Sequence, residues 1–271
     1  MNHIGRQWRV SAKDFALAKV DTASTEGAPG DKDSIESELW SLAETMADLQ
    51  NRFWAEGKRS LLVVLQAMDT GGKDGTIKHV FRGQNPQAIK VASFKEPSEE
   101  ELNHDFLWRI HHKAPANGEI VIFNRSHYED VLIVRVHSIV PETVWRPRYD
   151  AIVDFERHLV ESGTTIVKFW LHISPAEQKR RLQARIDDPT KRWKFRVGDL
   201  DERKLWPEYQ AAAQEMLQRT STEHAPWFVV PADHKWYRNW VVSRVLVDTL
   251  EAMDPKFPDP PDLQHCEIED I

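Results

Sequence analysis

Cysteine is almost missing from this chain: Cys266 stands alone among 271 residues. That excludes a disulfide framework and fits a reducing compartment. Long apolar runs are missing too, since no stretch approaches the ~20 residues that a membrane span requires. The first residues, MNHIGRQWRV, contain no apolar signal core. These absences together predict a cytoplasmic protein with no membrane partner. Nor is there an excess of positive charge. The formal net charge is −7, which argues against a general binder of nucleic acid or of an anionic surface. No internal repeat is visible.

With 41% apolar residues the chain has the composition of an ordinary globular protein, long enough for one large α/β domain or two small ones. Residues 1–32 read as an arm ending in the turn-rich STEGAPGDKD. Ser34 is placed to cap a helix in which Leu39, Leu42, Met46, Leu49 and Phe53 recur at helical spacing, and Gly57 ends it. Five apolar runs follow: SLLVVLQ, AIKVASF, EIVIFN, TIVKFWLHI and PWFVVPA. Runs of this kind predict strands buried on both faces of a parallel sheet. Between them lie helical patterns, including DGTIKHVFRGQ, SEEELNHDFLWRIHHKA, PRYDAIVDFERHLVES, PAEQKRRLQARI and DERKLWPEYQAAAQEMLQRTS. Strand and helix in alternation imply a doubly wound α/β sheet covered by helices on both sides. The domain spans 33–253, and the Pro-rich, acidic stretch 254–271 is expected to be a strap or a frayed end.

The stretch AMDTGGKDGT, residues 67–76, leaves the first apolar run and opens a helix. Gly71, Gly72 and Gly75 allow backbone N–H groups to converge on an anion, the helix start adds positive potential, and Lys73 supplies a point charge. The spelling departs from the common phosphate loop, with Ala67 where Gly is usual and Asp74 where Ser or Thr is usual. Strand, loop, lysine and helix in this order still predict phosphate binding by residues 71–76, Thr76 included. Asp69 is the odd residue, because a carboxylate beside a phosphate repels it. It predicts either a cation such as Mg²⁺ between the two or a group that orients an attacking oxygen.

A second acidic stretch, IVIFNRSHYEDV, places Asn124, Arg125, Glu129 and Asp130 near another strand's carboxyl end. An acid there steers a metal ion and an arginine clamps a phosphoryl oxygen; taken alone, the stretch also fits a surface charge cluster. A third, RIDDPTKRWKFRVGD, belongs to a segment from Lys179 to Arg196 with eight Lys/Arg against Asp187 and Asp188. It reads as a lid over about 184–206 that closes over phosphates, using Lys191, Arg192 and Lys194. A nucleic-acid patch or an amphipathic hairpin would use the same residue types.

LLVVLQAMDTGGKDGTIKHV, SFKEPSEEELNHDFLWR, FNRSHYEDVLIVRVH, DDPTKRWKF and TSTEHAPWFVVPADHKW together resemble the polyphosphate kinase 2 family. The similarity runs from the WRV of the arm to about residue 245. It implies a three-layer α/β/α phosphate-loop kinase fold like that of thymidylate kinase, with a parallel central sheet and a helical lid. It also implies Mg²⁺-dependent, reversible transfer of a terminal phosphoryl group between inorganic polyphosphate and adenine nucleotides, with guanine nucleotides as further candidates. Many members carry Asp-Arg-Ser where this chain has Asn124-Arg125-Ser126, and this chain has Glu129 where they have Asn. That exchange resembles class III members, associated with phosphorylating both AMP and ADP. The lid departs from the family pattern at Arg196-Val197-Gly198-Asp199, where a Ser-Pro-Ala-Asp-like turn is expected.

On this resemblance Asp69, Lys73, Arg125 and Glu129 form the catalytic set, with Asp69 and Glu129 steering the metal. Gly71, Gly72, Asp74, Gly75, Thr76, Asn124 and Arg135 hold nucleotide or phosphate, and Lys78, Arg82, Lys95 and Arg109 line a polyphosphate channel. His127 is expected to be structural and not a nucleophile. A homo-oligomer, dimer or tetramer, is expected, with Trp40 and Trp54 on a subunit face. The rival functions are an ATP-dependent nucleoside monophosphate kinase on the same fold and a non-catalytic nucleotide or RNA binder.

Overall fold

The computed structural model describes residues 3–11 and 14–261; Cys266 and the end of the acidic tail lie outside them. The five apolar runs form β1 (Ser60–Ala67), β2 (Ile89–Ser93), β3 (Ile120–Asn124), β4 (Thr164–His172) and β5 (Trp227–Pro231). They pair in parallel in the order β2-β3-β1-β4-β5. Parallel pairing needs a crossover after each strand, so all carboxyl ends emerge along one edge. The register aligns Leu65 with Asn124 on one side and with Phe169 on the other. The segments leaving β1, β3 and β4 therefore start side by side.

β1, β3, β4 and β5 are buried almost throughout. β2 is not, because it forms the sheet edge and leaves Lys90, Val91 and Ser93 in solvent. The longer helices are α1 (Lys32–Glu56), α2 (Lys73–Val80), α3 (Arg148–Glu161), α4 (Pro175–Asp187), α5 (Gly198–Lys204), α6 (Trp206–Thr220) and α7 (Lys235–Met253). α7 packs on α1 and α2, while α3 packs on β4 and α6. This is the mixed α/β architecture with a central parallel sheet that the strand–helix alternation predicts, arranged as the resemblance to a phosphate-loop kinase fold implies.

Local chemistry moves several boundaries. α1 is capped by Asp31, whose carboxylate accepts from the Ser34 N–H at 3.1 Å, so the helix starts before Ser34. Gly57 ends it with φ 60°, as expected. SEEELNHDFLWRIHHKA is not one helix but two single turns, Glu99–Leu102 and Trp108–His111. The break follows from Asp105, whose carboxylate takes the Leu107 N–H at 2.9 Å in competition with helical bonding. DERKLWPEYQ is also divided: α5 stops before Leu205, and Pro207 sits in the first turn of α6, where its missing N–H costs nothing.

The arm is tied to the core. Arg9 bridges antiparallel to Phe228, Val10 N–H donates to the Trp227 carbonyl at 2.9 Å, and Ile4, Val10 and Leu17 are buried. Trp8 Nε1 donates to Tyr237 Oη at 3.0 Å, fastening the arm to α7.

Beneath the segment after β3 lies a fully buried ionic network. Lys168 Nζ of β4 donates to Glu156 Oε2 of α3 at 2.5 Å, to Tyr128 Oη at 2.8 Å and to the Thr220 carbonyl at 2.8 Å. Tyr128 Oη donates to Glu156 Oε1 at 2.7 Å, and His127 Nε2 lies 3.2 Å from the same oxygen. His127 is thus enclosed and paired, in keeping with a structural role. Burial raises the cost of ionising Glu156, and the charge of Lys168 with the His127 bond more than offsets it, holding the carboxyl below its ordinary value.

Lys168→Met should lower stability by about 3–5 kcal/mol, since it strands a buried carboxylate. The double variant Lys168→Met/Glu156→Leu should recover most of the loss in denaturant unfolding; equal instability of the two would contradict this. His172, enclosed at the end of β4, has its pKa depressed to about 4 by burial, which outweighs the nearby Asp233 carboxylate. The folded state holds this imidazole neutral, so its contribution is intact above the unfolded value of about 6.5 and disappears as pH falls toward 4, amounting to about 3 kcal/mol. The stability of wild type relative to His172→Gln should therefore decline between pH 7 and 5, as read by thermal melts at each pH. A constant difference would overturn the assignment.

Candidate active site

The chain leaving β1 turns sharply into α2. The Gly71 N–H donates to the Met68 carbonyl at 3.0 Å, and a Cβ on Gly71 would lie 2.3 Å from the Ala67 methyl. Ala67 is therefore tolerated at its unusual position because Gly71 makes room for it. Gly72 caps α2 with φ 102°, a conformation costly for any other residue. Thr70, with φ 60°, carries that cost without being glycine. Arg125, on the neighbouring segment, does the same with φ 62°. Strained backbone at two adjoining strand ends marks a place where geometry is fixed for a purpose.

Lys73, the first residue of α2, is half-buried. Its ammonium pKa is lowered, first by burial and next by the Arg125 guanidinium, while Glu129, Asp69 and Asp74 pull it upward. The residues that sequence reasoning drew from two separate strand tips thus act on one ammonium group. Asp69 Oδ2 is buried and accepts no hydrogen bond. Arg185 Nη1 of α4 stands 3.6 Å from it and 3.5 Å from Asp199 Oδ2 of α5. Asp74 accepts from Asn124 Nδ2 at 2.9 Å and meets Lys194 Nζ at 3.6 Å. Burial alone would raise the Asp74 pKa; the Asn124 bond and the charges of Lys194 and Lys73 outweigh it and lower the value. Thr76 N–H and Oγ1 both donate to the Gly72 carbonyl, at 2.9 and 3.2 Å.

Lys194 is the lid residue that reaches the loop. Lys191 is bonded to Asp188 at 2.5 Å, and Arg192 Nε donates to the Ile186 carbonyl at 2.8 Å, so both brace the lid itself. α5 folds back over the site through Glu202, which meets His137 Nε2 at 2.9 Å and Tyr209 Oη at 2.8 Å. Glu129 and Arg125 both act on Tyr209, whose hydroxyl pKa is raised chiefly by burial. That locates the Arg125–Glu129 segment between the phosphate loop and α6.

The expected channel residues do not share one surface role. Lys78 and Lys95 are exposed. Arg82 lies flat over Trp40 at 3.6 Å. Arg109 is only 8% exposed and donates to the Lys95 carbonyl at 2.9 Å and to Glu101 at 3.3 Å. Arg135 donates to Tyr149 Oη at 3.1 Å and to Glu215 at 2.6 Å, over the Trp145 ring. Sequence reasoning missed Arg181, Arg185, Lys235 and Arg238. Arg181 Nη1 donates to the Thr70 carbonyl at 3.0 Å and Nη2 to the Ala232 carbonyl at 2.5 Å, joining the phosphate loop to the end of β5. The signal was the spacing of Glu177, Arg181 and Arg185, each one helical turn from the next.

Among the described residues no group of three or more His, Cys, Asp or Glu is arranged to hold a metal ion. Asp69, with an orphaned buried oxygen, and Glu129 are two carboxylates flanking a lysine at the start of a helix. That donor set fits an ion completed by phosphate oxygens and water. No helix in the described residues is long and apolar enough to cross a membrane.

A family model described as Polyphosphate kinase 2 (PPK2) matches residues 30–258. The chain is 54% identical over 246 residues to the AMP/ADP-polyphosphate phosphotransferase of Meiothermus ruber, covering 91% of this chain and 92% of that protein. It is 46% identical over 228 residues to the ADP-polyphosphate phosphotransferase of Rhodopseudomonas palustris, covering 80% and 79%. Among solved structures, the crystal structure of Polyphosphate Kinase 2 from Arthrobacter aurescens TC1 aligns with a TM-score of 0.93 at 45% identity, over 96% of this chain and 93% of that one. The match spans the phosphate loop, the second acidic segment and the lid alike, and the chain belongs to the polyphosphate kinase 2 family.

Proposed function

We propose that this enzyme transfers the terminal phosphoryl group of inorganic polyphosphate to ADP and AMP, reversibly and with Mg²⁺. One observation carries the reading: a buried Asp69 carboxylate oxygen that accepts no hydrogen bond, with Arg185 3.6 Å away, stands beside a phosphate loop whose Lys73 also feels the charge of Glu129 from the neighbouring strand end. Two acids at a phosphate site are repulsive unless a cation joins them to the substrate. The names of the relatives, which act between polyphosphate and AMP or ADP, support the same substrates.

In this reading the amides of Gly71 to Thr76 orient a phosphoryl group and Lys73 neutralises its oxygens. Asp69 and Glu129 hold Mg²⁺, directly or through water. When bound, the ion draws donor and acceptor oxygens together and offsets their charge. Arg125, exposed and held by its strained backbone, contacts the migrating group. Arg185, already between Asp69 and Asp199, and Lys194, paired with Asp74, follow the charge as the lid closes and excludes water. Asn124 holds Asp74 in place. Arg109 and Arg135 act through the walls they brace, and Lys78, Arg82 and Lys95 contribute positive potential around the site. The enzyme assembles as a homo-oligomer with α1, which exposes Trp40 and Trp54, at the subunit face.

The test is ATP formation from polyphosphate and ADP, and separately from polyphosphate and AMP, with no ATP supplied. Wild type should turn over in both, and only with a divalent ion present. Lys73→Ala and Asp69→Asn should each reduce the rate by about a hundred- to a thousandfold, in line with the loss of a charge-stabilising group, while circular dichroism shows an unchanged fold. Normal turnover in either variant removes that residue from the mechanism.

A further inference from the structure

Gln178, near the start of α4, is 2% exposed and has both ends of its amide bonded. Its Nε2 donates to the Asp69 carbonyl at 3.1 Å, and its Oε1 accepts from Arg203 Nη1 of α5 at 2.8 Å. Arg203 Nη1 also donates to the carbonyl of Pro175, the first residue of α4, at 2.9 Å. One turn on from Gln178, Arg181 Nη1 donates to the Thr70 carbonyl at 3.0 Å. α4 therefore grips two consecutive carbonyls of the phosphate loop, and the second belongs to the residue held at φ 60°.

A side-chain amide is nearly symmetric in shape and not in chemistry, since its nitrogen only donates and its oxygen only accepts. The Asp69 carbonyl cannot donate and the Arg203 guanidinium cannot accept. Only one orientation of Gln178 satisfies both neighbours, and Arg203 selects it. Without a donor at Oε1 the amide is free to turn over and set its oxygen against the Asp69 carbonyl. Two buried acceptors facing each other with no proton between them are costly, so the loop has to shift. Two bonds thus lead from the lid helix α5 to the backbone of Asp69. The Asp69 carboxylate, whose Oδ2 accepts no hydrogen bond, takes its direction from that backbone.

We infer that Gln178 is a positioning residue for Asp69 and that Arg203 sets it. With α5 seated on α4 the amide is fixed, the amide fixes the Asp69 backbone, and the carboxylate is aimed. The inference rests on Asp69 as a metal-steering carboxylate and adds what couples the lid to it. Arg185 and Lys194 reach Asp69 and Asp74 by charge, at 3.6 Å each, and charge fades gradually as two groups separate. A hydrogen bond is directional and is lost over a short displacement. The Arg203–Gln178 contact therefore distinguishes a seated α5 from a lifted one more sharply than the ion pairs do.

The variants are Gln178→Glu, which still accepts from Arg203 and no longer donates to Asp69, Arg203→Met, and Arg203→Lys as the donor-keeping control. Hydrogen exchange over residues 66–76 in the ligand-free protein is set beside Mn²⁺ binding with ADP, read by electron paramagnetic resonance, and steady-state kinetics. The Gly71 N–H, bonded to the Met68 carbonyl at 3.0 Å, reports on the loop. Its exchange should quicken about fivefold in Gln178→Glu and in Arg203→Met, the weight of one hydrogen bond. Mn²⁺ affinity should fall about ten- to a hundredfold in Gln178→Glu, the usual effect of removing a group that orients a metal ligand, and in the same direction in Arg203→Met. The kcat should fall in both, while KM for ADP and for polyphosphate stays within about threefold of wild type. Arg203→Lys should recover most of each loss. Should Gln178→Glu not fold, Arg203→Met, at a half-exposed position, decides by the same readings. Unchanged loop exchange or unchanged Mn²⁺ affinity in Arg203→Met overturns the assignment, as does a rise in KM in place of a fall in kcat. Wild type that binds no Mn²⁺ with ADP refutes instead the metal reading of Asp69, and the ligand-free exchange still tests the relay.

Discussion

The structure depends on one electrostatic constraint: charged side chains are gathered at the strand ends and only loosely paired there. Around Lys73 stand Asp69, Asp74 and Glu129. On the other flank of the same loop, burial and then the charge of Arg181 lower the pKa of Lys235 and of Arg238. The acids are met only at a distance, Asp69 by Arg185 and Asp74 by Lys194 at 3.6 Å each, and Arg238 bonds the neutral Asn239. A protein keeps such an arrangement only when binding supplies the missing charge, because burying an unpaired ion costs several kcal/mol.

The rest of the fold serves to hold these groups where they would not choose to be. Parallel pairing brings Ala67, Asn124 and the end of β4 to one edge. The Lys168–Glu156–Tyr128 network fixes the segment carrying Arg125 and Glu129 from below, with every polar atom of Lys168 bonded. From above, α5 is drawn down by Arg185 on Asp199 and by Glu202 on His137 and Tyr209. Rigid support below and many weak polar contacts above suit a site that must open for a long substrate and close for chemistry.

Much of this was legible in the sequence. Apolar runs and their helical partners gave the strands, because burial between two helical layers leaves little room for polar residues. AMDTGGKDGT and FNRSHYEDV pointed to Lys73, Asp69, Arg125 and Glu129, which the fold carries at neighbouring strand ends. What was not legible depends on tertiary geometry. Arg109 and Arg135 look like free cations in sequence, and only the fold shows them bonded to Lys95, Glu101, Tyr149 and Glu215. Arg238 sits among aromatic residues in KWYRNW and carries no motif; only the fold shows its guanidinium filling the space that a side chain on Gly72 would need. Helix breaks at Asp105 and Pro207 were written in the sequence but outvoted by the surrounding periodicity.

The most direct check is a crystal structure with Mn²⁺ in place of Mg²⁺ and a non-hydrolysable nucleotide, located by anomalous scattering. The ion should lie within direct or water-bridged reach of both Asp69 and Glu129, at about 2.1 Å from any oxygen it binds directly, with Lys73 on a phosphate. An ion bound away from both carboxylates, with Arg185 closed onto Asp69 in its place, would contradict the account.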